Sequence, residues 1–225
     1  LTSADSDRVE DDVVDVNELL RRDANLDSDI EPQCILLTGA TGFLGSHILR
    51  ELNGRNATVI CLVRDYLKLN RTLEYYFPDE KSSIHYVAVE GDVEKPKLGL
   101  SDEMYAQLAE RVDMVIHTAA KVSHAGHYED FERINVIGTQ NVIEFCKESG
   151  AVLQHTSTAS VSGSGTVEQR LQDVEFNESC LNIGQKYKQN VYIHSKYKAE
   201  ELVLIARSEG LKANIFRIGN LTWRI

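Results

Sequence analysis

A tyrosine and a lysine four residues apart, Tyr192 and Lys196, form the pair in this sequence best suited to proton transfer. Side chains at positions i and i+4 of a helix lie on the same face. Because a nearby ammonium favours the phenolate, we expect the pKa of Tyr192 to fall toward the working pH, where the phenol can donate or accept a proton. Two unrelated surface residues are the alternative interpretation. A cluster of hydroxyl side chains earlier in the chain, at Ser157, Thr158 and Ser160, favours the catalytic one.

A glycine-rich turn is the second chemical signal. Residues 34–45 read CILLTGATGFLG, which is a short apolar run, three glycines spaced three apart, and the start of a helical pattern that extends to Leu52. A strand, a tight turn and a helix N-terminus together bind a pyrophosphate, because the unpaired N–H groups and the helix dipole favour an anion. An ordinary strand-to-helix turn is the alternative. The pattern predicts nucleotide binding by Gly39, Thr41, Gly42, Phe43, Leu44 and Gly45.

The end of the second predicted strand indicates which nucleotide is bound. Arg64 directly follows the apolar run 57–63, and Asp65 comes second. At this point of a dinucleotide-binding fold an acid accepts a hydrogen bond from the ribose 2′-OH, whereas an arginine accommodates a 2′-phosphate. The order therefore predicts NADP(H) rather than NAD, with a surface arginine as the alternative.

Other candidate cofactor contacts follow the ends of three further predicted strands. Asp92 and Val93 come after the third strand, and Asp92 could accept a hydrogen bond from an adenine amino group or cap a turn. The small residues Ala119 and Ala120 end the fourth strand and suit the close approach of a cofactor. Ile218 leaves the sixth strand at the same expected edge.

Six apolar runs alternate with helical patterns along the chain. This alternation predicts an α/β fold, a Rossmann-like doubly wound parallel sheet with helices on both faces. Residues 162–190 are rich in glycine, polar and acidic residues and are expected to be an insertion that shapes a substrate site. We expect strands from residue 34 and at 57–63, 84–89, 114–120, 151–156 and 213–217, and helices at 43–52, 67–77, 102–111, 131–149 and 191–208.

Charge is concentrated at the N-terminal end of the chain. Residues 1–33 hold eleven acidic residues and three arginines, a net charge of −8 out of −11 for the whole sequence. This segment is interpreted as a linker or docking segment with a short helix near residues 13–20, or as a solvated tail. The remainder, 34–225, is expected to be one domain and has no basic stripe suited to nucleic acid.

The rest of the composition restricts the location and the kind of site. A run of about 18 apolar residues, which a membrane span needs, is absent, and no signal-peptide pattern is found. The four cysteines are far apart, which predicts reduced thiols in a cytoplasmic protein. His124 and His127 are three residues apart without a third ligand, so we expect no metal site.

The motifs together resemble those of the extended short-chain dehydrogenases/reductases. Within that group the chain is most similar to the thioester reductase domains of non-ribosomal peptide synthetases and to carboxylic acid reductases. The resemblance spans residues 34–224 and is carried by short segments, namely TGATGFLG (38–45), CLVR (61–64), LEYYF (73–77), GDV (91–93), LGLS (98–101), NVIGT (135–139), SKYKAE (195–200) and RIGNLT (217–222).

The resemblance implies that the chain uses NADPH to reduce an acyl or peptidyl thioester on a phosphopantetheinyl carrier protein, releasing an aldehyde or alcohol. Thr158, Tyr192 and Lys196 would be the catalytic triad, with Asn135 in the helix behind it and His124 near the substrate edge. The family continues past the sixth strand into a C-terminal substrate domain, whereas this sequence ends at residue 225. We therefore expect the cofactor site to be present and the substrate pocket to be incomplete, with slow reduction by this chain alone.

Two other functions stay open from the sequence. A sugar-nucleotide epimerase or dehydratase of the same superfamily shares the triad, but usually favours NAD, against which Arg64 argues. A non-catalytic NADP-binding module would keep the glycine turn without needing the pair of Tyr192 and Lys196, and both of these residues are present.

Overall fold

The chain folds around a six-stranded sheet in which every pair of neighbouring strands is parallel. The computed structural model describes residues 31–123, 125–163, 176–178 and 181–221. The strand order is β3-β2-β1-β4-β5-β6. The strands are β1 (Cys34–Thr38), β2 (Thr58–Val63), β3 (Val87–Glu90), β4 (Met114–His117), β5 (Val152–Thr158) and β6 (Ala213–Ile218).

Helices connect the strands and cover both faces of the sheet. They are α1 (Phe43–Leu52), α2 (Tyr66–Tyr76), α3 (Asp102–Ala109), α4 (Tyr128–Phe131), a π-helical segment (Glu132–Ile137), α5 (Gly138–Ser149) and α6 (Val191–Ser208), with short 3₁₀ turns at Lys81–Ser83, Pro96–Gly99 and Ala159–Ser162. The doubly wound α/β fold expected from the sequence is confirmed.

Successive residues of the central strand alternate between two apolar cores. Leu36 belongs to the core formed with α3, α5 and α6, and Leu37 to the core formed with α1 and α2. Both are fully buried, as their strand lies between two helical layers. The order of the strands reverses between β1 and β4, so the carboxyl ends of these two strands form the crevice where ligands of such sheets bind.

The bounds of several elements differ from the sequence expectation. The third strand begins at Val87 rather than at residue 84, because a 3₁₀ turn ends at Ser83 and the His85 N–H is bound by the Asn53 side chain. The fifth strand extends to Thr158, where it pairs with Ile218 of the sixth strand. The helix Tyr66–Tyr76 begins and ends one residue earlier than expected, and the helix Asp102–Ala109 is two residues shorter than expected. The helix after β4 is interrupted by the π-helical segment.

Cys34, Cys61 and Cys146 are buried free thiols, and Cys180 lies outside the described residues. The predicted N-terminal linker falls almost wholly in residues 1–30, also outside the described part. No helix within the described ranges is long and apolar enough to span a membrane.

Candidate active site

The glycine turn after β1 is shaped by close backbone contacts. Gly39 has a φ of 76° and accepts a hydrogen bond from the Gly42 N–H at 2.9 Å. A Cβ atom on Gly45 would lie 2.2 Å from the Gly39 carbonyl oxygen, so only glycine lets α1 start this close to the strand. A Cβ on Gly42 would meet only that same oxygen at 3.3 Å, and Gly42 is otherwise open to the crevice. The turn thus directs the N-terminus of α1 into the crevice.

Two cavities adjoin this turn at the carboxyl edge of the sheet. We call the smaller one, of about 240 Å³, the Arg64 cavity; it runs from the turn to the ends of β2 and β3. The larger one, of about 650 Å³, is the Tyr192 cavity and runs from the turn to the ends of β5 and β6. Gly39, Gly42 and Ala120 line both, so the two form one continuous cleft.

Every predicted cofactor contact and every predicted triad residue lines one of the two cavities. The Arg64 cavity takes Gly39, Thr41, Gly42, Arg64, Asp92, Val93, Ala119 and Ala120. The Tyr192 cavity takes Phe43, Leu44, Gly45, Thr158, Tyr192, Lys196 and Ile218. The residues that line the cleft without having been predicted include Lys68, Glu94, Ser123 and Asn190.

Basic and acidic side chains meet in the Arg64 cavity. The Asp65 carboxylate, the only acid adjacent to Arg64 in the chain, accepts hydrogen bonds from the Leu67 and Lys68 N–H groups and caps α2. Asp92 also caps a turn, since its Oδ1 accepts from the Glu94 N–H at 3.1 Å. Arg64 Nη1 donates to Glu94 Oε1 at 3.1 Å.

Lys196 is held behind Tyr192 by the end of β5. Asn190 caps α6 and fixes its first turn, because its Oδ1 accepts from the Tyr192 and Ile193 N–H groups. One turn later Lys196 is 3% exposed, and its Nζ donates to the Thr156 carbonyl at 2.7 Å. Burial lowers the pKa of Lys196 to about 8, although the Glu200 carboxylate opposes this shift.

The expected fall in the pKa of Tyr192 is not found in this structure. Burial raises the pKa of Tyr192, and a hydrogen bond with the Thr158 side chain lowers it only in part. Surroundings of low polarity disfavour every charged form, and the spacing between Tyr192 and Lys196 does not report this burial. Thr158 and Tyr192 nevertheless line the same cavity, so two of the three proposed triad residues lie close together.

The π-helical segment brings Asn135 beneath α6. Asn135 Nδ2 donates to Ser195 Oγ at 2.8 Å, and Ser195 Oγ donates to the Tyr192 carbonyl at 2.8 Å. Asn135 Oδ1 accepts from the Lys121 N–H at 2.7 Å. The side chain thus ties the loop after β4 to the first turn of α6, as expected for a residue behind the triad.

Two buried histidines beside Lys196 were not predicted as part of the site. Thr139 Oγ1 donates to the Asn135 carbonyl at 2.7 Å, so it accepts from His117 Nε2 at 3.2 Å. His117 Nδ1 in turn accepts from Thr38 Oγ1 at 2.7 Å. Burial and the nearby Lys196 charge lower the pKa of His117 to about 3. The sequence signal that could have identified His117 is its position as a polar residue in an otherwise apolar strand.

His155 is the second of these histidines and lies opposite His117 across the β4–β5 pair. Its ring centroid is 5.5 Å from that of His117. The side chain is fully buried, and neither ring nitrogen has a hydrogen-bond partner among the described residues. Burial and the charge of Lys196 hold its pKa well below the usual value.

A buried ion pair supports the same end of β5. Glu200 Oε2 accepts from Ser157 Oγ at 2.6 Å, while Glu200 Oε1 accepts from Arg217 Nε at 2.8 Å. The Arg217 guanidinium also bonds the Asn177 carbonyl and lies over the Phe176 ring at 4.2 Å. Strands β5 and β6, helix α6 and the middle of the insertion are therefore joined next to Thr158.

Within the predicted insertion, residues 164–175, 179 and 180 lie outside the described residues, as does His124. His127 is exposed. Within the described part of the chain no cluster of three or more His, Cys, Asp or Glu side chains could hold a metal ion.

The chain is similar to known proteins both in sequence and in structure. The sequence profile of a family of NAD-binding domains described as Male sterility protein matches residues 37–224. A linear gramicidin synthase protein of Brevibacillus parabrevis is 36% identical over 203 residues, which are 84% of this chain and 4% of that protein. A thiolation-reductase di-domain from an archaeal non-ribosomal peptide synthetase is 32% identical with a TM-score of 0.74, and the match covers 93% of this chain and 59% of that one.

The chain thus spans less than two thirds of the length of these two relatives. A UDP-Glc/GlcNAc 4-epimerase from Campylobacter jejuni is more distant, at 22% identity, a TM-score of 0.60, and coverage of 82% of this chain and 53% of that one. At this identity the likeness shows a shared fold alone.

Proposed function

Since the chain belongs to the family of NAD-binding domains described as Male sterility protein, and is an extended short-chain dehydrogenase/reductase of the thioester reductase type, we propose that it uses NADPH to reduce a thioester on a carrier protein. The product is an aldehyde, or an alcohol after a second reduction. The observation that carries this proposal is that Thr158, Tyr192 and buried Lys196 line one cavity, which adjoins the glycine turn after β1.

The residues of the cleft fit a dinucleotide. The glycine turn leaves no space for a Cβ at Gly39 or Gly45, while Gly42 is open to the crevice, as close approach of a pyrophosphate requires. Arg64 and Lys68 supply positive charge beside β2 for a 2′-phosphate, and Asp65 is occupied as a helix cap. Ala119 and Ala120 leave room over the end of β4, and Lys196 would hold the nicotinamide ribose.

Bound NADPH would supply the hydride that the thioester carbonyl accepts. Tyr192 and Thr158 would donate hydrogen bonds to the carbonyl oxygen as negative charge develops on it, and Tyr192 would transfer its proton to that oxygen. Lys196 would stabilise the resulting phenolate, since no other cation among the described residues lines the Tyr192 cavity. The hemithioacetal then separates into the carrier thiol and the aldehyde.

The carrier protein is part of the same proposal. The cleft of the Tyr192 cavity, of about 650 Å³, is bordered by the exposed apolar residues Val122 and Leu221. A phosphopantetheine arm is long and flexible, and a cleft with apolar borders suits the insertion of such an arm. One structural relative joins a thiolation domain to a reductase domain, which supports a carrier as partner.

The test is reduction of a thioester by the purified chain. An acyl thioester presented on a carrier protein, or on a pantetheine analogue, should cause loss of NADPH absorbance together with release of a free thiol and an aldehyde. Tyr192→Phe should bind NADPH nearly as well as the parent and lose turnover. Binding of NADPH with no reduction of any carrier-bound acyl thioester would favour the non-catalytic module, and conversion of a sugar nucleotide would favour the epimerase.

A further inference from the structure

We infer that the Glu94 carboxylate occupies Arg64 in place of the 2′-phosphate of NADPH. It holds Arg64 at the cleft and releases it when the phosphate binds. The inference rests on the cofactor preference proposed above. It assigns to Glu94 a role in cofactor selection, namely that of reducing the affinity for the phosphorylated cofactor.

The peptide group between Val93 and Glu94 is fixed at both its N–H and its carbonyl. The Glu94 N–H donates to Asp92 Oδ1 at 3.1 Å. The carbonyl of the preceding residue, Val93, accepts from Asn141 Nδ2 of helix α5 at 2.7 Å. The turn that carries Glu94 is therefore anchored to the sheet end and to a helix, and it presents the carboxylate from a fixed position.

The two partners of the ion pair differ in their freedom to move. The Glu94 side chain is 20% exposed, whereas the Arg64 side chain is 64% exposed. Glu94 has a second cation, since Arg133 Nε lies 3.6 Å from its Oε2. Arg64 can therefore turn away toward the cavity, and Glu94 then keeps a counter-charge.

Charge at the cavity is balanced before the cofactor arrives. Two cations, Arg64 and Lys68, and two carboxylates, Asp92 and Glu94, line it. A phosphate monoester could bind two N–H groups of the Arg64 guanidinium at once in a bidentate contact. The Glu94 carboxylate binds only one nitrogen of this guanidinium. The same phosphate would be repelled by the charge of Glu94. Because the ion pair between Arg64 and Glu94 must break first, the affinity for NADPH that Arg64 provides is reduced.

This exchange gives opposite expectations for the two cofactors. Glu94→Gln removes the competing charge and should tighten NADPH binding by about threefold to tenfold, the size of a partly exposed charge interaction. NADH has no 2′-phosphate, so its affinity should change by less than about twofold. A carboxylate that instead accepts a hydrogen bond from the ribose 2′-OH would show weaker NADH binding in the same variant.

The experiment is calorimetric titration of the parent and its variants with NADPH and with NADH. Glu110→Gln is the matched control, because it removes one negative charge from an exposed position at the far end of α3. Tighter NADPH binding in Glu94→Gln alone supports the inference. Unchanged or weaker NADPH binding in Glu94→Gln, or the same gain in Glu110→Gln, overturns it.

Substitution of Arg133 provides a second, independent test of the exchange. If it acts through Glu94, Arg133→Gln should weaken NADPH binding in the parent and have little effect in the Glu94→Gln background. An equal loss in both backgrounds would mean that Arg133 contacts the phosphate itself, and the exchange would be refuted. Arg64→Ala separates the two proposals. If the parent binds NADPH and NADH equally and Arg64→Ala changes neither affinity, the proposed cofactor is contradicted. If the preference for NADPH is lost in Arg64→Ala but is unchanged in Glu94→Gln, only the exchange is contradicted.

Discussion

Replacing His155 by leucine should make the protein more stable and less sensitive to acid. His155 is fully buried, and both of its ring nitrogens lack hydrogen-bond partners among the described residues. An unsatisfied buried polar group costs about 1–3 kcal/mol. Leucine is of similar volume and has no polar atom, so His155→Leu should raise the free energy of unfolding near neutral pH by about 1–2 kcal/mol.

The pH dependence follows from the direction of the pKa shift. The pKa of His155 lies well below the usual value in the folded protein, because burial and the Lys196 charge disfavour the imidazolium. An unfolded chain has a histidine pKa of about 6.5 and therefore binds a proton that the folded chain does not. Stability is fully present above that pH and is lost below it, by about 1.4 kcal/mol for each pH unit, or about 2 kcal/mol at about pH 5.

His117 adds a similar loss, since burial lowers its pKa to about 3. The parent should therefore lose about 4 kcal/mol from these two histidines between about pH 7.5 and about pH 5, and His155→Leu about half of that. Urea unfolding at the two pH values measures the difference. His85→Asn, at an exposed position, is the matched control. The reasoning is refuted if His155→Leu and the parent lose the same free energy on acidification.

Three further substitutions test the site. Tyr192→Phe should lower turnover of an acyl thioester by on the order of 10²–10⁴, the usual contribution of a positioned acid, with NADPH affinity from titration nearly unchanged. Lys196→Met should raise the free energy of unfolding by about 1–3 kcal/mol in urea, since it removes a buried charge, and should weaken NADPH binding at least about tenfold. Gly45→Ala should lower the free energy of unfolding by about 2 kcal/mol or more, because its Cβ would lie 2.2 Å from the Gly39 oxygen, and a smaller loss in urea would contradict the assigned contact.

The order of the elements could be predicted because local patterns determine it. Apolar runs, glycine turns and caps such as Asn190 before α6 are all encoded by neighbours in the chain. The late start of β3 could not be predicted, because it depends on a bond between the His85 N–H and Asn53, 32 positions earlier. The π-helical segment depends in the same way on Asn135 reaching Ser195, 60 positions later.

The residues that line the cleft could be located for a similar reason, whereas the electrostatics of the cleft could not be predicted. Chemistry-bearing residues follow the ends of parallel strands, so Arg64, Asp92 and Thr158 could be located from strand ends alone. The partner of Arg64 is a residue 30 positions later, on a separate turn. The rise in the pKa of Tyr192 depends on burial by several elements at once, which no spacing along the chain reports.

Burial shifts the pKa values of both Tyr192 and Lys196. Burial disfavours both the phenolate and the ammonium, so the pKa of the tyrosine rises while that of the lysine falls to about 8. Among the described residues the carboxylate that stabilises the charge of Lys196 is that of Glu200, one turn away, which is already bound to Ser157 and Arg217. A new negative charge beside Lys196 would therefore be stabilised strongly, because the surrounding groups do not already neutralise it. In the proposed reaction, the buried ammonium of Lys196 would therefore stabilise the phenolate that remains when Tyr192 gives up its proton.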